Sequence, residues 1–183
     1  MQLIFNAFDE DLWLRTGKIF GQEMVYFSPT TGKTEVYSIE ENGSHKLNTM
    51  LIFGFVQTKD GRFWLGGQNG LFEFIAKEKK FIQHPILVDS VKLRHYWLNK
   101  EDPLKPGVIW ANIDNVSDKR LDKVADKSLW AINTNDFSIK IFEKKKVGGL
   151  ADCSIFDLQF DSRNELWVST DSGLSSLNRQ RDT

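Results

Sequence analysis

Residues 51–74 read LIFGFVQTKDGRFWLGGQNGLFEF, and residues 154–177 read SIFDLQFDSRNELWVSTDSGLSSL. The two stretches align without a gap at an offset of 103. Ile52 falls on Ile155, Phe53 on Phe156, Trp64 on Trp167, Gly70 on Gly173 and Leu71 on Leu174. Phe55/Leu158, Phe63/Leu166, Leu65/Val168 and Phe74/Leu177 are apolar exchanges. Five identities in 24 positions exceed the roughly one or two that this composition gives by chance, which marks an internal repeat. Within the first copy, Leu51–Thr58 reads as a buried strand. Asp60-Gly61 reads as a type I′ hairpin turn, because glycine supplies the positive φ such a turn needs. Arg62–Gly66 is the next strand and carries Trp64. Gln68-Asn69-Gly70 is a second turn, Leu71–Ile75 a third strand and Lys80–Gln83 a short outer fourth. In the second copy Asn164 replaces the turn glycine, since asparagine also tolerates the left-handed conformation.

Working outward, the same indole recurs at Trp13 and Trp110, so four tryptophans are spaced by 51, 46 and 57 residues. A period near 40–50 residues with strand chemistry is that of propeller blades. The 14 Phe and 6 Trp favour sheet, because aromatic side chains suit a pleated, half-buried surface. A four-stranded sheet cannot hide both of its faces alone; stacked beside like sheets around an axis it can. The expected fold is therefore all-β, with about four blades of four antiparallel strands at residues 3–40, 50–84, 90–143 and 149–183. Fifteen strands can be placed where four closed blades need sixteen, the outer strand of the last blade being missing; either Leu3–Phe8 is shared to close the ring or the chain is a piece of a larger one. Trp13, Trp64, Trp110 and Trp167 are expected between blades, with Gly70 and Gly173 in tight turns that no side chain fits. No helix is expected beyond a single turn at Leu121–Ala125.

The formal net charge of −1 argues against nucleic acid and anionic membranes as partners, which select basic surfaces. No apolar run approaches the ~20 residues of a membrane span, and the first residues lack a basic region and an apolar core, so no secretion signal is read. Cys153 is the only cysteine, and the carboxylate of Asp152 beside it would raise rather than lower a thiol pKa. His45, His84 and His95 share no metal-ligand spacing. Asp9-Glu10-Asp11 lacks the alternating oxygens of a calcium loop. The lysines of 77–80 and 144–146 fall on outer blade edges, where they discourage edge-to-edge pairing. No Ser-His-Asp order, catalytic carboxylate pair, P-loop or dinucleotide fingerprint stands out. The expectation is no catalytic residue, no metal and no cofactor.

One segment combines aromatic and cationic groups: Arg94-His95-Tyr96-Trp97, within Asp89–Gly107. As a loop it would stack on a sugar ring or a partner side chain. The alternative is that Tyr96 and Trp97 pack as an atypical innermost strand of the third blade.

The run Asp60-Gly61-Arg62-Phe63-Trp64-Leu65-Gly66-Gly67, followed by Asn69-Gly70-Leu71, resembles the two-component regulator propeller repeat. Trp64, Gly66, Gly70 and Leu71 match its pattern, as do Trp167, Thr170, Gly173 and Leu174 in the last blade. The resemblance implies a segment of a larger, seven-bladed ring in the periplasmic sensor of a histidine kinase, hybrid two-component regulator or diguanylate cyclase. It implies ligand sensing without catalysis, a small carbohydrate as ligand, and the remaining blades or another copy of the chain as partners. A protein-interaction scaffold and a propeller hydrolase or lyase are the competing expectations.

Overall fold

The computed structural model describes residues 2–6, 12–16, 23–38, 52–67, 70–78, 80–88, 91–92, 96–114, 127–142, 150–152 and 154–177. The chain is all-β, built as successive antiparallel meanders of the kind found in propeller blades. Sheet 1 contains β1 (Gln2–Asn6), β2 (Leu12–Thr16), β3 (Glu23–Phe27) and β4 (Thr34–Ser38). Sheet 2 contains β5 (Ile52–Gln57), β6 (Phe63–Gly67), β7 (Gly70–Ile75) and β8 (Lys80–His84). A short hairpin of β9 (Leu87–Val88) and β10 (Val91–Lys92), absent from the sequence reading, leads on. Sheet 3 contains β11 (Tyr96–Glu101), β12 (Val108–Asp114), β13 (Lys127–Asn133) and β14 (Ile139–Phe142). Sheet 4 contains β15 (Ile155–Phe160), β16 (Leu166–Thr170) and β17 (Gly173–Leu177). Among the described residues the only helical piece is a 3-10 turn at Ala76–Glu78.

Strand pairing makes the four repeats equivalent. Each tryptophan follows directly on the residue that closes the first hairpin, the closing pairs being Asn6↔Leu12, Gln57↔Phe63, Glu101↔Ile109 and Phe160↔Leu166. The first strands touch in series, β1 to β5, β5 to β11 and β11 to β15, as innermost strands around one axis do. β1 pairs with β2, so the start of the chain does not complete sheet 4.

Three apolar clusters lie between consecutive sheets. Trp13 packs with Phe55, Leu65, Phe72 and Phe74 between sheets 1 and 2. Trp64 packs with Leu98, Ile109, Trp130 and Ile132 between sheets 2 and 3. Trp110 packs with Leu158, Leu166 and Val168 between sheets 3 and 4. Every indole thus points from its own sheet towards the next one. A buried indole removes on the order of 200 Å² from water, so these residues carry much of the stacking. Trp167 points the same way, but is only half-buried.

The hairpins correct one expectation. In the first, Gly61 N donates to Thr58 O at 2.8 Å and Thr58 N to Arg62 O at 2.9 Å. The loop therefore has three residues, and only Gly61 takes a positive φ, of 84°. This is a type I turn followed by a left-handed residue, not type I′, which would need Asp60 left-handed as well. The Asp161–Glu165 hairpin repeats it with Asn164 at φ 60°. Gly70 and Gly173 also need restating. Their φ values of 132° and 129° demand glycine, but a side chain at Gly173 would meet none of the described residues within 4 Å. Backbone conformation, not space, selects them.

The third hairpin keeps the same chemistry in a longer loop. Asp102 N donates to Val108 O at 2.7 Å, and Gly107 stands before Val108 with φ 80°. Asp102 accepts Trp110 Nε1–H at 3.1 Å, and Asp161 accepts Trp167 Nε1–H at 3.4 Å. Thr58 occupies this place in sheet 2, and the buried Trp64 Nε1 has no hydrogen-bond partner among the described residues. Leu121–Ala125, Asp9–Asp11, His45, Lys144–Lys146 and Cys153 lie outside the described residues.

Candidate functional site

The spacing between sheets is set by two residues that face each other on the first two strands. In sheet 2 these are Gly54 and Gly66. A methyl group added at Gly54 would sit 2.6 Å from Leu98 N and closer still to Leu98 O. Sheet 3 can therefore approach sheet 2 backbone to backbone. In sheet 3 the corresponding pair is Trp97 and Asn112. With side chains at both positions the same backbone-to-backbone approach is not open to sheet 4, and a groove of about 400 Å³ lies between sheets 3 and 4.

The groove has an aromatic wall and a polar floor. Trp97 is 45% exposed and stacks on Phe53 of sheet 2, with ring centroids 4.3 Å apart and planes 15° apart. Phe156 of sheet 4 stands in the same groove and is 70% exposed. Asn99 and Asn112 supply amides. Asn99 Nδ2 donates to Trp97 O at 3.0 Å and to Asn112 Oδ1 at 3.2 Å; Asn112 Nδ2 donates to Ile155 O at 3.3 Å. Asp171 and Ser154 complete the lining, with Asp171 N donating to Ser154 O at 3.2 Å.

β-Bulges place three of these side chains. In sheets 2, 3 and 4 the innermost strand skips one residue, between Ile52 and Gly54, between Leu98 and Lys100, and between Ile155 and Asp157. The skipped residues are Phe53, Asn99 and Phe156, and all three line the groove. A bulge leaves one residue outside the ladder and turns its side chain out of the regular alternation. The arrangement thus combines flat apolar rings with fixed amides and a carboxylate at one rim of the sheet stack. Such a surface has the chemistry to take a ligand with both an apolar face and hydroxyl groups.

The sequence-predicted candidates divide. Tyr96 is fully buried in the core between sheets 2 and 3, where burial pushes its phenol pKa well above normal. Its hydroxyl has no hydrogen-bond partner among the described residues. Tyr96 is therefore a packing residue of β11, not a loop residue. Trp97 lies on the same strand but faces the groove. Arg94 and His95 lie outside the described residues. His84 bonds Glu73 at 3.2 Å and stacks on Phe137 at 4.7 Å, and no group of metal-ligating side chains occurs among the described residues. Sequence reasoning did not single out Phe53, Asn99, Asn112, Phe156 or Asp171 as site residues. The available signal was positional: aligning Trp64 with Trp110 sets Gly66 against Asn112, an exchange of hydrogen for a polar side chain.

No family model matches the sequence, and no curated protein sequence matches it. Solved structures share the fold. The extracellular domain of BT4673 from B. thetaiotaomicron, described as a one-component system, superposes with a TM-score of 0.57 at 16% identity, covering 96% of this chain and 27% of that one. PorZ, a surface component of the type-IX secretion system of Porphyromonas gingivalis, gives 0.67 at 17% identity, covering 96% and 24%. Virginiamycin B lyase from Staphylococcus aureus gives 0.58 at 16% identity, covering 98% and 55%. The chain thus spans about a quarter of the first two structures and about half of the third.

Proposed function

We propose that this chain is a non-catalytic, ligand-sensing propeller segment of a bacterial signal-transduction receptor, working outside the cytoplasm. The groove between sheets 3 and 4 is its binding site. The observation that carries the reading is the exposed Trp97 ring, braced by Phe53 and sharing the groove with Phe156, Asn99, Asn112 and Asp171. A small carbohydrate fits this chemistry. The C–H face of a pyranose stacks on an aromatic ring, while its hydroxyls bond amides and a carboxylate. The fold shared with the extracellular domain of a bacterial one-component system supports the setting, and fold alone does not carry function.

A thermal-shift screen against mono- and oligosaccharides tests the proposal, because a ligand that binds only the folded state raises the melting temperature. At least one sugar should give a saturable upward shift that Trp97→Ala abolishes while the protein stays folded. A hit insensitive to Trp97→Ala, or no hit across the panel, refutes it. The lyase likeness keeps one rival open, a propeller enzyme. Turnover of a bound sugar would favour that rival.

A further inference from the structure

Each sheet of this chain has two chemically distinct faces, and every interface joins the same two kinds. The leading face carries the indole. It is formed by Trp13, Tyr26 and Met24 in sheet 1, and by Val56, Trp64 and Leu71 in sheet 2. The trailing face carries aliphatic and aromatic rows. In sheet 2 these rows are Phe63↔Phe74 and Leu65↔Phe72; in sheet 3 they include Ile109↔Ile132 and Ala111↔Trp130. Three interfaces repeat this leading-to-trailing match.

Two faces of the stack are left without a described partner. The leading face of sheet 4 presents Trp167, half-buried, and Leu174, which is 62% exposed although its repeat equivalent Leu71 is fully buried under sheet 3. The trailing face of sheet 1 presents Leu12↔Phe27 and Leu14↔Val25↔Val36. These are the register counterparts of Phe63↔Phe74 and Leu65↔Phe72, of which Leu65, Phe72 and Phe74 are buried and Phe63 half-buried; Leu12, Leu14, Val25 and Phe27 are all only half-buried, and Val36 is 56% exposed. The end of the stack is thus a leading face and its start a trailing face, the two kinds that already pack three times.

We infer that two copies of this chain associate head to tail, the Trp167–Leu174 face of each seating on the Leu14–Val25 face of the other. Such contacts are heterologous, and they close only if the rotation between sheets brings the second pair together. Four sheets from each of two copies make an eight-sheet ring, within the range of four to eight blades that propellers use. The polar residues Asp157, Gln159 and Ser169 on the sheet 4 face do not oppose this. The interface between sheets 3 and 4 is of the same mixed type, with Asn112 donating to Ile155 O beside its apolar cluster.

Sedimentation equilibrium of the 183-residue chain over a concentration series tests the inference. The wild-type chain should show twice the mass of one chain. Leu174→Glu and Val25→Glu, each alone, should be monomeric, since every interface then carries a charge. Mixed one to one, they should regain a pair, because the unaltered sheet 4 face of the Val25→Glu chain meets the unaltered sheet 1 face of the Leu174→Glu chain. Circular dichroism checks that each variant keeps its sheet content, and Leu14→Gln replaces Val25→Glu if the latter fails to fold. A wild-type mass of one chain at every concentration overturns the inference. So does a mixture that stays monomeric, or a single variant that still pairs. Species larger than a pair overturn closure at two.

Discussion

Gly54→Ala puts a number on the idea that the sheets are stacked. Within an isolated strand this change should help, since glycine loses more backbone freedom on folding and costs roughly 0.5–1 kcal/mol relative to alanine. Here the new methyl would lie 2.6 Å from Leu98 N and nearer still to Leu98 O, atoms of the backbone of the neighbouring sheet. Neither can rotate away, so β5 and β11 must separate. Overpacking of this kind costs about 1–3 kcal/mol and sometimes more; with rigid backbone on both sides the upper value applies. Against a small intrinsic gain, the expected net loss is about 2–3 kcal/mol, combining the two terms. For a chain of this size that lowers the melting temperature by roughly 4–12 °C. Gly61→Ala is the control. It has φ 84° and open space around it, so it should cost only the left-handed strain of about 1–2 kcal/mol. Urea and thermal unfolding followed by tryptophan fluorescence measure both. If Gly54→Ala proves neutral or stabilising, sheets 2 and 3 do not meet at Leu98, and the stacked arrangement of sheets is wrong.

Trp64→Ala should cost about 3–5 kcal/mol, as large-to-small changes in a core do, whereas Trp167→Ala should cost clearly less because its ring is half-exposed; equal losses in urea unfolding would refute the assigned burial. Asp102→Ala should cost about 1–3 kcal/mol, the usual consequence of leaving buried donors unpaired, since Asp102 accepts Leu104 N, Lys105 N and Trp110 Nε1. A red shift of Trp110 emission should accompany it, and a variant as stable as wild type would deny the bond a structural role. Stability should fade in acid. Desolvation works to raise the Asp60 carboxyl pKa, but hydrogen bonds from Thr58 and Arg62 outweigh it and hold the group below its usual value. The backbone amide of Glu165 does the same for Asp161. A folded pKa below the unfolded value means the stabilisation is complete above the ordinary carboxylate pKa of about 4 and is lost as pH falls through the lower folded value. Thermal melts between neutral and strongly acid pH should show this, with Asp161→Asn flattening the curve; a midpoint constant into strong acid would contradict the sign.

The architecture was legible because repetition exposes constraints that one copy hides. An indole after a hairpin, returning four times, identifies both the strand and its place within each blade. The details that failed share one cause. The Asp60-Gly61 dipeptide is compatible with two hairpin geometries, and only the closing bond between Thr58 and Arg62 separates them. The third hairpin was obscured by extra residues between Asp102 and Gly107, although the spacing from Gly107 to Trp110 equals that from Gly61 to Trp64. The groove was harder still. Trp97 drew notice for its chemistry, but its neighbours Phe53 and Phe156 lie 44 residues before it and 59 after. Only the bulges and the inter-sheet spacing bring them together.

Positions that recur and positions that vary therefore divide the work. The indoles, the hairpin turns and the apolar trailing rows repeat because each interface solves the same packing problem. The pair across the first two strands does not repeat: Gly54/Gly66, then Trp97/Asn112, then Asp157/Ser169. Since that pair sets how closely the next sheet can approach, varying it changes local spacing while the tryptophan clusters farther along the strands stay intact. A groove can thus open at one interface without unstacking the sheets. It follows that replacing Asn112 with glycine should narrow the groove and weaken any ligand it holds, while leaving the Trp110 cluster and most of the stability in place. Loss of folding on that change would mean that recognition and stacking are not separable in this chain.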